Sequence, residues 1–265
     1  MVIQASSIPC RRCWDEADRV AFLRAVRPFR TLPATALRHV AATSRVRRVE
    51  KNGFIFLEGQ PAAVLCILCE GRVKVVQETD DGQEVILRLI VPGDVFGVIG
   101  KWDEGLYSAT AVAQTDANVV ELPRPEFLSL LESNPTFVMA MLLEFGSRLR
   151  DAEARINDLQ TKQAGCRVAA TLLRIVGKTG LDGAVGTENC VRLTRQDLAE
   201  LSGTNLCTAS RLLSEWDRRG IVVTGREQVR ILRPSLLAAI AEGVASVEQE
   251  PVSYTHLTLP TILRV

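Results

Sequence analysis

The spacing of hydrophobic and polar positions divides this chain into three regions. In the first, over residues 49–122, short apolar runs rich in β-branched residues alternate with turns that contain glycines such as Gly71 and Gly82. Short strands between glycine-containing turns are typical of an antiparallel barrel or jelly roll. The runs that we expect to form strands are residues 54–56, 64–68, 73–76, 85–90 and 111–120.

The second region, which follows Pro135, has apolar residues spaced alternately by four and three positions. This heptad repeat predicts a long helix, over residues 136–164, whose apolar stripe packs against another helix. We expect a parallel homodimer in which the stripes of two copies meet, and packing of the stripe on the chain's own barrel is the alternative. The stripe consists of Val138, Leu142, Phe145, Leu149, Ala152, Ile156 and Leu159.

The third region, residues 193–220, predicts two short helices joined by a tight bend. Thr194 can cap the first helix, Gly203 suits the bend, and Asn205 can cap the second helix, over about 205–219. The apolar face predicted for the second helix consists of Leu206, Ala209, Leu212, Leu213 and Trp216.

Gly220 is expected to end the second helix, and residues 221–223 then predict a strand. A helix, a turn, a second helix and a β-wing form the arrangement that places one helix in the major groove of DNA. An ordinary helical hairpin in a globular core is the alternative interpretation.

Polar side chains on the outer faces of these two helices are the candidate DNA contacts. Arg211 can donate paired hydrogen bonds to O6 and N7 of guanine, and Ser210 and Thr208 can reach a base edge or a phosphate. Leu206 can touch the methyl group of thymine, with packing on the inner face as the alternative. Thr194 and Arg195 are expected to bind phosphates and fix the register. The complete predicted set is Thr194, Arg195, Thr204, Asn205, Thr208, Ser210 and Arg211.

Charge is distributed unevenly, although the net charge of the 265 residues is only +1. Residues 51–135 carry six basic and thirteen acidic residues, whereas residues 165–234 carry eleven basic and seven acidic residues. A phosphate backbone therefore attracts the C-terminal block and repels the barrel. The basic segment 1–50 is expected to be a solvated face, with a second binding surface as the alternative.

Composition restricts the function classes further. No apolar run is long enough for a membrane span, and the N-terminus lacks the apolar stretch behind a basic one that marks a secretory signal, so we expect a cytoplasmic protein with no membrane partner. An enzyme, such as a metal-dependent cupin oxygenase, is not expected, because His39 is the only histidine before the tail and no nucleophile–base set has a recognisable spacing. His39 is expected to be a surface or capping residue rather than a haem ligand.

Several short motifs resemble those of the Crp–Fnr family of bacterial transcription regulators. They are IFLEG at 55–59, ILCEGRVKV at 67–75, PGDVFG at 92–97, LTRQDLA at 193–199 and SRLL at 210–213. The resemblance implies an α+β fold, with an N-terminal antiparallel jelly-roll barrel like a cyclic-nucleotide-binding domain, a long dimerisation helix and a C-terminal winged helix-turn-helix. It also implies a homodimer on a palindromic promoter site in double-stranded DNA, control by a signal sensed in the barrel and, for an activator, contact with RNA polymerase.

These patterns and the resemblance together predict the division of the chain. Residues 251–265 match neither a helix nor a wing and look like a translated sequencing adapter, so we expect an artefact, with a native tail as the alternative. The predicted segments are an extension at 1–20, a sensor barrel at 21–135, a dimerisation helix at 136–164, a winged helix at 165–236 and a tail at 237–265.

The effector pocket departs from the family pattern. Cyclic-nucleotide-binding members carry Gly-Glu and Arg-Ser pairs, whereas this chain has Gly97-Val98 and Tyr107-Ser108. Because a buried phosphate without a cationic partner is costly, cyclic AMP is not expected to bind tightly. Val98 and Tyr107 can admit an apolar ligand or simply fill a pocket without one.

The recognition helix departs from the family pattern too. Cyclic-AMP-type members begin this helix with an Arg-Glu pair, and the matching positions here are Leu206 and Cys207. Fnr-type members keep the Glu, followed by Ser and Arg, whereas this chain keeps Ser210 and Arg211 but not the Glu. The target sequence of neither type is therefore expected. A cyclic-nucleotide-binding-like module that regulates a protein partner without binding DNA is the alternative function.

The cysteines allow two interpretations, one with a metal cofactor and one without. Cys10 and Cys13 have the spacing of two thiolate ligands and, since some family members carry an iron–sulfur cluster, an iron–sulfur cluster or another metal is one interpretation. A reversible disulfide or plain thiols are the other. Cys66 and Cys69 could complete four ligands, but they lie on a predicted strand, where residues three apart face opposite sides.

Overall fold

The computed structural model describes residues 14–79, 82, 84–97, 105–179 and 189–244. Two helices come first, α1 (Glu16–Ala25) and α2 (Ala34–Thr43), with a 3₁₀ turn between them at Phe29–Thr31. Asp15 caps α1 by accepting a hydrogen bond from the backbone N–H of Asp18. The buried side chains of these helices pack on one face of the barrel that follows.

The barrel consists of two antiparallel sheets of four strands each, in the orders β1-β8-β3-β6 and β2-β7-β4-β5. One apolar cluster fills the space between the sheets, and a second lies between one sheet and the surrounding helices. The strands are β1 (Arg45–Val49), β2 (Phe54–Phe56), β3 (Val64–Glu70), β4 (Val73–Glu78), β5 (Glu84–Ile90), β6 (Val95–Phe96), β7 (Thr110–Ala113) and β8 (Ala117–Pro123).

The predicted strand at 111–120 is in fact two strands, because residues 114–116 form the connection between β7 and β8. Neither β1 nor β6 was expected. Three of the five residues of β1 are arginines, and two of them, Arg45 and Arg47, are held by the buried carboxylate of Glu121 on β8. Because a carboxylate distant in sequence stabilises β1, the strand lacks the apolar alternation by which a strand is predicted from its sequence.

Two helices follow the barrel, α3 (Arg124–Ser133) and the 27-residue α4 (Pro135–Thr161). Helix α4 is interrupted at Lys162, whose backbone is extended, and α5 (Ala164–Thr179) begins two residues later. The long helix was predicted to extend to residue 164. The structure ends it three residues earlier, because Arg167 on α5 donates a hydrogen bond to the carbonyl of Lys162 and fixes the break.

The C-terminal domain contains a three-stranded sheet in the order β10-β11-β9 and a helix pair that packs on it. Its elements after α5 are β9 (Cys190–Val191), α6 (Arg195–Ser202), α7 (Leu206–Arg218), β10 (Val222–Thr224), β11 (Val229–Ile231) and α8 (Pro234–Ala241). The expected α+β fold, with a jelly-roll barrel, a long helix and a winged helix-turn-helix, is confirmed.

The structure differs from the predicted start of the tail at residue 237. Helix α8 spans that position and packs against α5, and Leu237, Ile240 and Ala241 are buried in the core of the C-terminal domain. These apolar residues follow Pro234, which suits the first turn of a helix. Residues 251–265 lie outside the described residues. None of the described helices is both long and apolar enough to cross a membrane.

Candidate nucleic-acid interface and sensor pocket

The first helix of the helix-turn-helix begins with a complete capping box. The hydroxyl of Thr194 accepts a hydrogen bond from the backbone N–H of Asp197 at 3.0 Å, and the Asp197 carboxylate accepts one from the backbone N–H of Thr194 at 3.0 Å. The carboxylate also accepts the hydroxyl proton of Thr194 at 2.7 Å. The side chain of Arg195 is exposed beside this helix start, where free backbone N–H groups favour an anion.

The bend between α6 and α7 depends on Gly203, whose φ of 61° lies in the left-handed region. A Cβ at this position would come within 2.4 Å of Leu159 Cδ2 on α4. Thr204 is half-buried, and its hydroxyl lies 3.2 Å from that of Ser202. The bend is therefore fixed by backbone conformation and by close contact with the end of the long helix.

Arg167 on α5 clamps the same bend and was not predicted from the sequence. Its Nε donates to the carbonyl of Ser202 and its Nη2 to the carbonyl of Gly203, both at 2.9 Å. A third hydrogen bond reaches the carbonyl of Lys162 at 2.8 Å. One guanidinium therefore links the α4–α5 break to the helix-turn-helix bend, although no local pattern marks this role.

Asn205 caps α7, the candidate recognition helix, and its side chain accepts a hydrogen bond from the backbone N–H of Thr208 at 2.8 Å. Arg211 is exposed, and Thr208 and Ser210 are half-buried. The inner face consists of Ala209, Leu212, Leu213 and Trp216, all of which are buried. The basic and hydroxyl groups predicted to read DNA are thus presented on a helix whose other side is fixed in the core.

Leu206 was predicted to lie on the inner face, and this is wrong. It is the first residue of α7 and its side chain is 44% exposed. A residue in the first helical turn lies beyond the body of the domain, so the 3.6-residue period alone could not exclude it. An exposed apolar side chain at this position can contact the methyl group of thymine.

The wing is tied to the recognition helix by Asp217. Its carboxylate accepts a hydrogen bond from the hydroxyl of Thr224 at 2.6 Å and from the backbone N–H of Thr224 at 3.2 Å. These bonds lower the pKa of Asp217. Arg226 and Arg230 are exposed on the wing and add positive charge beside α7, which the prediction of contacts did not include.

At the predicted effector pocket, Tyr107 stands at the position where, by the family resemblance, cyclic-nucleotide-binding members carry arginine. The ring of Tyr107 stacks on Phe56, with centroids 3.9 Å apart and planes 10° apart. Its hydroxyl donates to the carbonyl of Val64 at 3.0 Å, and burial raises its pKa to about 12. A Cβ at Gly97 would lie 3.4 Å from the Tyr107 ring. The position of the phosphate-binding arginine is thus occupied by the tyrosine ring, which packs against Phe56.

The other two predicted pocket residues contribute less to this arrangement. Ser108 is exposed, next to the buried Tyr107. Val98 lies outside the described residues. The structure therefore brings Gly97 and Tyr107 together.

The cysteines of the barrel do not form a metal site with each other. Cys66 packs between the two sheets, whereas Cys69 packs on the opposite face of β3, against the helices. Burial raises the pKa of both thiols, that of Cys69 to about 12. Across the described residues, no group of three or more His, Cys, Asp or Glu side chains could hold a metal ion. Cys10 and Cys13 lie outside those residues.

His39 is a surface residue, as expected. Its imidazole is 60% exposed, and Nε2 lies 2.7 Å from the carboxylate of Glu126. The histidine thus joins α2 to α3 at the surface.

The apolar stripe of α4 is divided between two environments. Leu142, Leu149, Ile156 and Leu159 have side chains that are 56%, 61%, 56% and 53% exposed, and Ala152 is exposed as well. Val138 is half-buried, and Phe145 is half-buried and packs against the helix-side core of the barrel. Four of the seven predicted interface residues are therefore large apolar residues that are more than half exposed in a single copy.

The C-terminal domain also contacts the barrel. Leu201 on α6 packs against the buried cluster of Val76, Ile86 and Val112, and Lys51 lies 3.6 Å from Glu227. Arg72 faces the same side, and its Nε and Nη1 atoms are buried without a hydrogen-bond partner among the described residues. Burial lowers the pKa of Arg72, whereas the carboxylates of Glu227 and Asp197 in the C-terminal domain raise it.

Comparison with known proteins gives the same two domains. The cyclic nucleotide-binding domain family matches residues 46–134, and the Crp-like helix-turn-helix domain family matches residues 166–240. The cyclic AMP receptor protein of Thermus thermophilus is 31% identical over 191 residues, which cover 72% of this chain and 85% of that protein. The global nitrogen regulator of Nostoc is 28% identical over 197 residues, or 73% and 87% of the two chains.

Among solved structures, FixK2 from Bradyrhizobium japonicum is similar, with a TM-score of 0.65 and 25% identity over 74% of this chain and 96% of that chain. The relatives and the domains are those of transcription regulators, which are not enzymes. The capped helix-turn-helix, the jelly-roll barrel and these similarities together show that the chain is a DNA-binding transcription regulator of the Crp–Fnr family.

Proposed function

We propose that this regulator acts as a homodimer that reads a palindromic promoter site with α7, under control of a signal that acts on the barrel. The observation that carries the proposal is the pairing of an exposed recognition surface around Arg211 with an exposed apolar stripe on α4. A two-fold axis along such a stripe would place two recognition helices on successive turns of the major groove. For an activator, RNA polymerase would be the further partner.

The stripe supports dimerisation because a single copy leaves Leu142, Leu149, Ile156 and Leu159 more than half exposed. Monomeric proteins rarely leave a contiguous apolar surface of this kind uncovered. The repeat of four and three residues matches the seam of a parallel two-stranded coil. A second copy of α4 is therefore the occupant that fits the stripe.

In this proposal the recognition helix reads bases and the start of α6 holds the backbone. Arg211 can pair with O6 and N7 of guanine, and Leu206 can contact a thymine methyl. Arg195 and the first N–H groups of α6 contact phosphates, as do Thr194, Thr204, Asn205, Thr208 and Ser210 where they do not reach a base edge. The base contacts set the sequence and the phosphate contacts set the position.

We predict that Arg211→Ala weakens binding to the specific site by about 1–3 kcal/mol, which is about 5- to 150-fold. The loss comes from two hydrogen bonds to one base, so the preference at that base pair should also relax. Titration of a labelled site recovered from genomic DNA, together with the same site altered at that base pair, measures both effects. Binding by Arg211→Ala that equals the unmutated protein would refute the assignment of α7.

Arg195→Ala is the matched control, because it also removes one exposed arginine from the same helix pair. Loss of a phosphate contact should lower affinity for every sequence alike and reduce the slope of log affinity against log salt by about 1. The two variants therefore separate base reading from backbone binding in one set of titrations.

We further propose that cyclic AMP is not the signal. Tyr107 stands where a cation would pair with the cyclic phosphate, and its ring is buried against Phe56. Calorimetric titration of the whole protein with cyclic AMP should show no binding in the low-micromolar range. A saturating low-micromolar complex would require Tyr107 to leave its stacked position and would contradict the proposal.

A further inference from the structure

A cavity of about 120 Å³ lies where the barrel, α4 and the C-terminal domain meet. Its apolar wall combines side chains of β5 and the residue that follows it, of α5 and of α6, with one residue of α4. These side chains are Leu87, Leu89, Val91, Ala152, Ile175 and Leu201. The space is therefore bounded by the barrel, the long helix α4 and the C-terminal domain.

Four arginines line the same cavity, namely Arg88, Arg148, Arg155 and Arg174, whereas Asp151 is the one carboxylate among the described lining residues. Three of the arginines are paired outside it: Arg88 lies 3.0 Å from Asp94, Arg148 lies 3.2 Å from Glu144, and Arg174 lies 2.6 Å from Asp158.

Arg155 differs from the other three because its hydrogen bonds go to neutral groups. Its Nη1 donates to the carbonyl of Leu87 at 2.6 Å and its Nη2 to the carbonyl of Ile86 at 3.2 Å. Burial and then the nearby charge of Arg174 lower its pKa, against the attraction of Asp151. Burial and the charge of Arg88 likewise lower the pKa of Arg148, to about 10. Among the described residues no carboxylate is hydrogen-bonded to Arg155, so its charge faces a partly dehydrated space in which an anion is favoured.

We propose that this cavity binds a small organic anion that carries an apolar group, such as an aromatic or medium-chain carboxylate. The carboxylate would accept hydrogen bonds from Arg155 and Arg174, and the apolar group would pack against Leu87, Leu89 and Ile175. Charge-assisted bonds to guanidinium groups fix the orientation of such a ligand, and the apolar wall supplies the burial. The site is separate from the barrel pocket that Tyr107 fills.

Binding here should stabilise the arrangement in which α6 lies on the barrel, because the ligand contacts both sides. In that arrangement Thr194, at the start of α6, borders a cavity that Lys51, Asn52 and Arg72 of the barrel also line. A DNA phosphate would have to enter this space to reach the helix start. We therefore expect the ligand to lower DNA affinity, an expectation that rests on the proposed function.

The binding step is tested by calorimetry on the whole protein with three probes. The probe 1-naphthoate has both charge and an apolar group, 1-naphthol lacks the carboxylate, and inorganic phosphate lacks the apolar group. We expect saturable binding of 1-naphthoate and at least about tenfold weaker binding of the other two. Absence of saturable 1-naphthoate binding, or equal affinity for 1-naphthol, would overturn the proposal.

Variants locate the binding. Arg155→Gln should weaken 1-naphthoate binding about tenfold or more, whereas Arg150→Gln, which removes an exposed arginine of the same helix outside the cavity, should not change it. Leu87→Gln tests the apolar wall at a side chain that is 42% exposed, so folding should tolerate it. If Arg155→Gln fails to fold, loss of 1-naphthoate binding in Leu87→Gln shows whether the cavity is the binding site. Binding that survives these cavity variants, or falls equally in Arg150→Gln, would overturn the site.

The regulatory step is tested by DNA titration with and without 1-naphthoate. We expect the ligand to weaken specific binding about tenfold in the unmutated protein and not in Arg155→Gln. Unchanged DNA affinity with the cavity saturated would overturn the coupling and leave the site in place. Failure to bind any DNA specifically would refute the proposed function, while calorimetry would still decide the site.

Discussion

Replacing Leu149 with glutamate is expected to convert the protein into a monomer and to weaken specific DNA binding by on the order of 3 kcal/mol or more, which exceeds a hundredfold. Leu149 lies at the centre of the α4 stripe and is 61% exposed in one copy. Two glutamates facing each other in an apolar seam would be desolvated and would repel. A monomer engages one half of a palindromic site, so it loses the contacts of the second recognition helix.

Ala154→Glu is the matched control, since it adds the same charge to an exposed position of α4 outside the stripe. Sedimentation velocity should give a dimer for the unmutated protein and for Ala154→Glu, and a monomer for Leu149→Glu. Phe145 is a poorer probe than its heptad position suggested, because it also packs against the barrel and its replacement would disturb the fold. An unmutated protein that sediments as a monomer would contradict the role of the stripe.

Trp216→Ala is expected to lower the free energy of unfolding of the C-terminal domain by about 3–5 kcal/mol. The side chain is completely buried in the core that holds α7 against the sheet. Its removal leaves a cavity that the surrounding helices can only partly close. Urea unfolding, followed by circular dichroism, gives the change, and DNA binding should fall with the folded fraction.

Trp216→Phe is the control that separates packing from polar effects. The Nε1 atom of Trp216 is buried without a hydrogen-bond partner among the described residues, so phenylalanine removes an unpaired donor and keeps most of the ring. We therefore expect Trp216→Phe to cost much less than Trp216→Ala. Equal losses in the two variants, or a loss below about 1 kcal/mol in Trp216→Ala, would contradict the packing account.

Features that depend on neighbouring residues could be predicted from the sequence. The capping box of Thr194 and Asp197 and the left-handed Gly203 follow from local backbone chemistry, because each partner lies within a few residues. The α4 stripe follows from its heptad period. Cys66 and Cys69 face opposite sides of β3, as the two-residue period of a strand requires.

Features that depend on distant partners could not be predicted. The arginine-rich β1 is a strand because Glu121, more than seventy positions away, holds two of its arginines. Arg167 reaches the bend of the helix-turn-helix from another helix, at separations of 35 and 36 residues. Leu206 satisfies the helical period and is nevertheless exposed, since a period gives the direction of a side chain but not the edge of the domain.

The position of the C-terminal domain on the barrel also depends on residues that are distant in sequence. Leu201 packs against an apolar cluster of the barrel, and other side chains surround the arginine-lined cavity. These residues come from six elements, β4, β5, β7, α4, α5 and α6, spread over more than a hundred positions. Sequence patterns within each element gave no sign of this contact. The structure thus adds a candidate route from ligand binding to DNA binding that the family resemblance did not contain.

Selection of fragmented genomic DNA by the protein, followed by sequencing of the bound fraction, shows whether a dimer reads DNA through α7. We expect enrichment of an inverted repeat whose half-sites lie about one helical turn, roughly 10 base pairs, apart, and loss of that enrichment in Leu149→Glu. Recovery of sequences with no repeat, or no enrichment above the input DNA, would contradict a dimer that reads DNA through α7.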